Sequence, residues 1–67
     1  MAWKDCDSSM IESYDHDKDM GVLHVKFRSG RIVSLQNVPA QVAADFEAAP
    51  SKGKFFHGQL RDQYKAL

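Results

Sequence analysis

The stretch from Leu23 to Gln36 constrains the fold more tightly than any other. Leu23, Val25 and Phe27 alternate with His24, Lys26 and Arg28, the period-two pattern of a half-buried strand. Ser29-Gly30 then interrupts the pattern, and Val33 and Leu35 alternate with Ile32, Ser34 and Gln36 in a strand that returns antiparallel to the first. The register follows from the side chains. A two-residue turn at Ser29-Gly30 would set Val33 opposite Lys26 and Leu35 opposite His24, mixing apolar and polar residues on each face. A three-residue loop, Arg28-Ser29-Gly30 with Gly30 left-handed, sets Val25 opposite Val33 and Leu23 opposite Leu35. The second arrangement predicts one apolar face, and leaves Val22, His24, Lys26, Ile32, Ser34 and Gln36 on the other.

The flanks extend this hairpin. Ser8 to His16 reads as a preceding strand, joined to Leu23 through Asp17-Lys18-Asp19-Met20-Gly21, a segment rich in turn formers. Val38-Pro39 ends the sheet, because proline cannot donate to a strand ladder and sits well where a helix begins. Ala40 to Ala49 places Val42 and Phe46 at helical spacing, and Pro50 stops that helix. Ser51 is a candidate N-cap whose hydroxyl reaches the Lys54 amide, and Phe56, Leu60 and Tyr64 then recur every four residues as one packing face. Gly53, one turn before Phe56, suits a close approach at the helix start. The expectation is an α+β fold: a three-stranded antiparallel meander followed by two helices packed on one face. Residues 1–7 read as an N-terminal extension and 8–67 as a single domain.

At 67 residues the chain has room for one thin core, since a domain of this size buries only about 60% of the surface its unfolded chain exposes. Cys6 is the single cysteine, which excludes an intrachain disulfide. The start Met-Ala-Trp-Lys-Asp-Cys-Asp lacks the apolar run of a secretory signal and no stretch is long enough to span a bilayer, so a cytoplasmic location is expected. Formal charge sums to zero but is segregated. Residues 1–20 hold six acids against two bases, and residues 21–67 hold seven bases against three acids. A basic second part is compatible with an anionic partner, and the plain alternative is a solvated surface of the kind that keeps small domains in solution.

Taken together, Ser8-Ser9, Leu23-His24-Val25-Lys26-Phe27, Gly30, Val38-Pro39, Ser51-Lys52-Gly53, Phe55-Phe56, Leu60-Arg61 and Tyr64 resemble the KTSC domain. This short module is named for its occurrence at the C-terminus of some lysyl-tRNA synthetases, and is also found as a stand-alone bacterial or phage protein. The resemblance runs from about Ser8 to Tyr64, with the Ser-x-Gly-x-aromatic-Phe segment as its most specific part. It implies an RNA-binding module. The chain departs from the family pattern where Val33-Ser34-Leu35 stand for a Tyr-x-Tyr, His16-Asp17 for a Tyr-Asp and His57 for an Asn.

The candidate site is built of cations and caps. The start of the last helix offers unpaired amides beside Lys52 and Lys54, and with Ser51, Gly53, His57 and Arg61 it forms a candidate anion or nucleic-acid site. Its plain alternative is a capped helix start with solvated lysines. Lys26, Arg28 and Arg31 form a second basic cluster around the hairpin. Of the open sheet face only His24 offers a ring for stacking, so contact with phosphates is expected ahead of contact with bases.

Other chemistry has less behind it. Asp15, Asp17, Asp19 and Gly21 resemble the start of a calcium loop, but the glycine is one place late and Lys26 stands where a bidentate glutamate belongs. His16, His24 and His57 are too scattered for a zinc site, and nothing in the sequence orients Cys6 as a nucleophile. No cofactor, metal or enzymatic activity is expected. The sequence therefore predicts a binding module for RNA or another phosphate-bearing partner. The alternative is a protein-interaction module, such as a phage accessory protein, that uses the open sheet face or a strand edge.

Overall fold

The computed structural model describes residues 3–67. Strands β1 (Lys4–Asp5), β2 (Ile11–Asp17), β3 (Val22–Phe27) and β4 (Ile32–Leu35) form one antiparallel sheet in the order β1-β2-β3-β4. Helix α1 (Ala40–Ala48) follows, then a short helix α2 (Lys52–Phe55) that continues into a single π-helical turn over Phe56–Leu60. The meander of three strands expected from the sequence is therefore a sheet of four. The added strand comes from the start of the chain, where Lys4 pairs with Tyr14 and Asp5 with Ser13.

The hairpin has the register that the alternation demanded. Leu23 lies opposite Leu35 and Val25 opposite Val33, and Gly30 is left-handed at φ 95°. The loop closes through Gly30 N donating to Phe27 O (2.9 Å) and Phe27 N donating to Arg31 O (2.8 Å). The turn before β3 is equally local. Asp17 Oδ1 accepts from the amides of Asp19 and Met20, which explains the acids there as turn formers.

Strand β2 starts later than expected because Ser8 folds back on itself: its Oγ accepts from the amides of Met10 and Ile11, both at 3.1 Å. Within β2 the alternation breaks. Ile11 pairs with Phe27 and Ser13 with Lys26, so Glu12 is an extra residue in a bulge. Ile11 and Tyr14, three apart, thereby both join the core that strict alternation would have divided between two faces.

The core fills the space between the sheet and the helices. Ile11, Leu23, Val25, Phe46 and Leu60 are fully buried, with Tyr14, Leu35, Val38 and Phe56 nearly so. Aromatic edges order this layer. Tyr14 meets Phe46 edge-on at 5.1 Å, Phe27 meets Phe56 in the same way at 5.1 Å, and Phe55 lies 5.8 Å from Phe46.

Ser51 caps α2 as its position suggests, accepting from the Lys54 amide at 3.4 Å. The segment does not run on as one α-helix to Tyr64, however. Arg61 N donates to Phe56 O at 2.8 Å, a bond one residue wider than an α turn, and the chain then leaves the helix through Arg61–Gln63. Gly53 and Gly58 weaken the α-helical preference of this stretch, so packing of Phe56 and Leu60 decides its course. Beyond Tyr64 the chain returns to the sheet, where Gln36 N donates to Lys65 O and Leu67 N to Ser34 O. Those bonds lie along the outer edge of β4, where an unpaired edge had been a candidate for partner addition.

Candidate functional site

The cations singled out in the sequence separate into two kinds in the structure, those engaged with the chain and those left to solvent. Lys26 points to the open sheet face and pairs with Glu12 at 3.2 Å, away from the helices. Arg28 turns back on the N-terminal segment, its Nε donating to Ser8 O (2.6 Å) and its Nη2 to Cys6 O (3.0 Å). Lys52 Nζ donates to Glu47 O at 3.0 Å, satisfying a carbonyl at the end of α1. Arg31, Lys54 and Arg61 are exposed. Among the described residues Arg31 and Lys54 have no side-chain partner, and Arg61 meets only His57, Nη1 to Nδ1 at 3.4 Å.

Two hollows take up most of these residues. The first, between the N-terminal segment and α2, is lined by Ser51, Lys52, Gly53, Lys54 and His57, but also by Asp5 and Asp7, whose carboxylates oppose an anion. Here Met10 lies against Gly53, and a Cβ on Gly53 would come 3.4 Å from Met10 Sδ. That contact is the close approach that the glycine suggested. With only four residues in α2, its start is less of a dipole than the long final helix expected from the sequence.

The second hollow, a groove of about 680 Å³, lies between the hairpin loop and the π turn. Arg28, Arg31, His57 and Arg61 stand around it, and Phe27, Val33, Leu35, Phe56 and Tyr64 form its apolar wall. Its lining includes no acid. Ser9, Met10 and His57 border both hollows, so the two are continuous. Of the nine candidate residues, all but Lys26 line this paired surface, and the three arginines share the groove.

The sequence reading missed the wall of the groove, because Phe27, Val33 and Tyr64 carry the spacing of core residues and are core residues on one side only. All three are half-buried and pack against the core. It also left Trp3 outside the domain pattern. Trp3 is 41% exposed and lies on the open sheet face, its ring 6.2 Å from that of His24. His24 Nδ1 lies 2.7 Å from Ser34 Oγ, and Asp15, the cross-strand partner of His24, has its Oδ2 closed off from solvent without a hydrogen-bond partner among the described residues.

The Cys6 thiol donates to Ile11 O at 3.1 Å, and His16 Nε2 meets Val38 O at 2.9 Å. Tyr14 is held above the ordinary tyrosine value, first by burial and then by the charges of Glu47 and Cys6. Among the described residues no three His, Cys, Asp or Glu side chains converge to hold a metal ion, and no helix is long and apolar enough to cross a membrane.

Comparison with known proteins gives this geometry a family. The family model described as the KTSC domain matches residues 7–64. The chain belongs to the KTSC domain family. A crystal structure of a KTSC domain protein from Yersinia pestis superposes on this KTSC domain with a TM-score of 0.94 at 29% identity, covering 98% of this chain and 93% of that one. Among curated proteins, a lysine–tRNA ligase of Nostoc sp. is 34% identical over 59 residues, or 88% of this chain. The chain spans only 10% of that ligase. A protein of Tsukamurella paurometabola is 31% identical over 61 residues and is matched along 91% of both chains. The KTSC domain thus occurs in relatives both as a small part of a large ligase and as nearly a whole short protein.

Proposed function

We propose that this KTSC domain is a non-enzymatic module that binds RNA through the arginine-rimmed groove. One observation carries the reading: Arg28 and Arg31 of the hairpin meet Arg61 and His57 of the π turn around a single hollow with no acid in its lining. Arginines some thirty positions apart in sequence supply positive charge to one place, which is what attraction of a phosphate backbone requires. Relatives named lysine–tRNA ligase support the choice of RNA over other phosphate-bearing ligands, because the substrate in that name is an RNA. A cytoplasmic setting goes with this reading. Within the groove Arg31 and Arg61 are the phosphate contacts and Arg28 holds the wall in place through its backbone bonds, while Lys54 stands in the adjoining hollow.

Fluorescence anisotropy with a mixed pool of short RNAs at low and at physiological salt tests the proposal. Binding at low salt that weakens steeply as salt rises is the expected result. Absence of binding at low salt would overturn it.

A second reading has its own observation. Trp3 and Ile32 are exposed on the open sheet face, at 41% and 55%, beside Asp15 and the Glu12–Lys26 pair. That combination suits a protein partner, since exposed apolar side chains among mixed charges mark protein contacts. Co-purification of a partner that survives nuclease treatment and is lost in Trp3→Ala would favour it over RNA.

A further inference from the structure

The groove has a wall that a simple phosphate clamp would not use. Tyr64, Phe27 and Val33 are half-buried: one side of each packs on the core, and each also lines the space between Arg31 and Arg61. A phosphate gains nothing from such a wall, whereas a flat base gains dispersion and the removal of apolar surface from water. We infer that the groove takes an unpaired base of single-stranded RNA against Tyr64 and Phe27, with the neighbouring phosphates on Arg31 and Arg61. The inference rests on the RNA-binding reading above and narrows it to one form of RNA.

Three features of the molecule lead to this occupant. First, the volume of about 680 Å³ falls within the range of roughly 300–1,000 Å³ that small-ligand pockets occupy, which suits a nucleotide and not the broad convex surface of a duplex. In A-form RNA the bases are stacked inside the helix, so a duplex presents phosphates, riboses and base edges to a concave wall, and no base face. Second, the cations at the rim are arginines, whose planar guanidinium groups bind phosphate through paired donors and also stack on bases. Arg61 is oriented by His57 at 3.4 Å. Third, the exposed Trp3, with the half-buried His24 beside it, lies on the open face near Asp15, and there the cation, Lys26, is already paired with Glu12. Among the described residues an aromatic wall and free cations coincide only in the groove.

The test uses the full chain, a short fluorescein-labelled single-stranded RNA and the same RNA annealed into a duplex. Affinity for the single strand should exceed that for the duplex by about tenfold or more. Tyr64→Leu keeps apolar packing against the core but removes the ring, and should weaken single-strand binding about tenfold while leaving duplex binding unchanged. Tyr64→Phe should bind as the native chain does. A single strand carrying 2-aminopurine should lose emission on binding the native chain, which gives a readout that needs no variant, and Trp3 emission should stay constant. Equal affinity for duplex and single strand, unquenched 2-aminopurine, or a folded Tyr64→Leu with undiminished binding would each overturn the inference. Arg31→Ala separates RNA binding from base stacking. If it weakens binding of both RNAs while Tyr64→Leu changes neither, RNA binding stands and the base-stacking mode falls; if no RNA binds the native chain, both fall.

Discussion

Arg28 Nε donates to Ser8 O at 2.6 Å, the shortest side-chain hydrogen bond among the described residues. With the second bond, to Cys6 O, it fastens the segment before β2 to the hairpin loop, twenty residues away. A cation that the sequence assigns to a ligand is thus a structural tie. Arg28→Lys keeps the charge but not the two-pronged geometry, and should destabilise the fold by about 1 kcal/mol. In a domain of this size that corresponds to a fall of about 4–8 °C in Tm, measurable by thermal denaturation followed by circular dichroism.

Tyr14 gives the fold an alkaline limit. Its hydroxyl titrates above the ordinary tyrosine value because it is buried and faces the charges of Glu47 and Cys6. With the folded value raised above the unfolded one, the neutral ring contributes its full stability below pH ~10 and loses it as pH rises through the folded value. Stability measured by urea unfolding should therefore be flat in this contribution up to about pH 9.5 and then decline. Tyr14→Phe should remove that part of the decline while keeping the edge-on contact with Phe46.

Two glycines should respond oppositely to alanine. Gly30 is at φ 95°, so Gly30→Ala strains the hairpin and should cost about 1–2 kcal/mol although the space around it is open. Gly53 lies in α2 with ordinary backbone angles, and its added methyl would only touch the flexible Met10 side chain at 3.4 Å. Gly53→Ala should leave stability unchanged or raise it by up to about 1 kcal/mol. Comparison of the two variants by chemical denaturation checks both expectations.

The central layer should be intolerant of cavities. Phe46 is fully buried from α1 and touches the rings of both Tyr14 and Phe55. Phe46→Ala should cost about 3–5 kcal/mol, enough to unfold a domain this small near room temperature, with loss of the cooperative melting transition.

These contacts explain which parts of the molecule were legible in its sequence. The hairpin register was legible because only one loop length puts Val25 and Leu23 opposite Val33 and Leu35, and the cap at Ser51 because its geometry is local. Strand β1 was not, since Lys4–Asp5 has no apolar alternation and is ordered by pairing with β2. The bulge at Glu12 was hidden for a related reason: only the burial of both Ile11 and Tyr14 on one face calls for it. At the site, residue types indicated which side chains carry positive charge, but not which of them the backbone had already engaged. Arg28 and Lys52 bond to carbonyls distant in sequence or at a helix end, and Lys26 pairs with the bulged Glu12 across the sheet. Tyr64 and Phe27 read as core because their spacing is that of core residues; that their other sides line a groove follows only from tertiary packing.

The measurement that bears most directly on the functional account compares two charge removals by RNA anisotropy at fixed low salt. Arg31→Ala/Arg61→Ala removes the two free cations of the groove, and Lys26→Ala removes one cation from the opposite face. The double variant should lose about tenfold or more in affinity, with a shallower dependence on salt, while Lys26→Ala should bind as the native chain does. Equal losses from the two variants, or an unchanged affinity in the double variant, would contradict RNA binding in the groove.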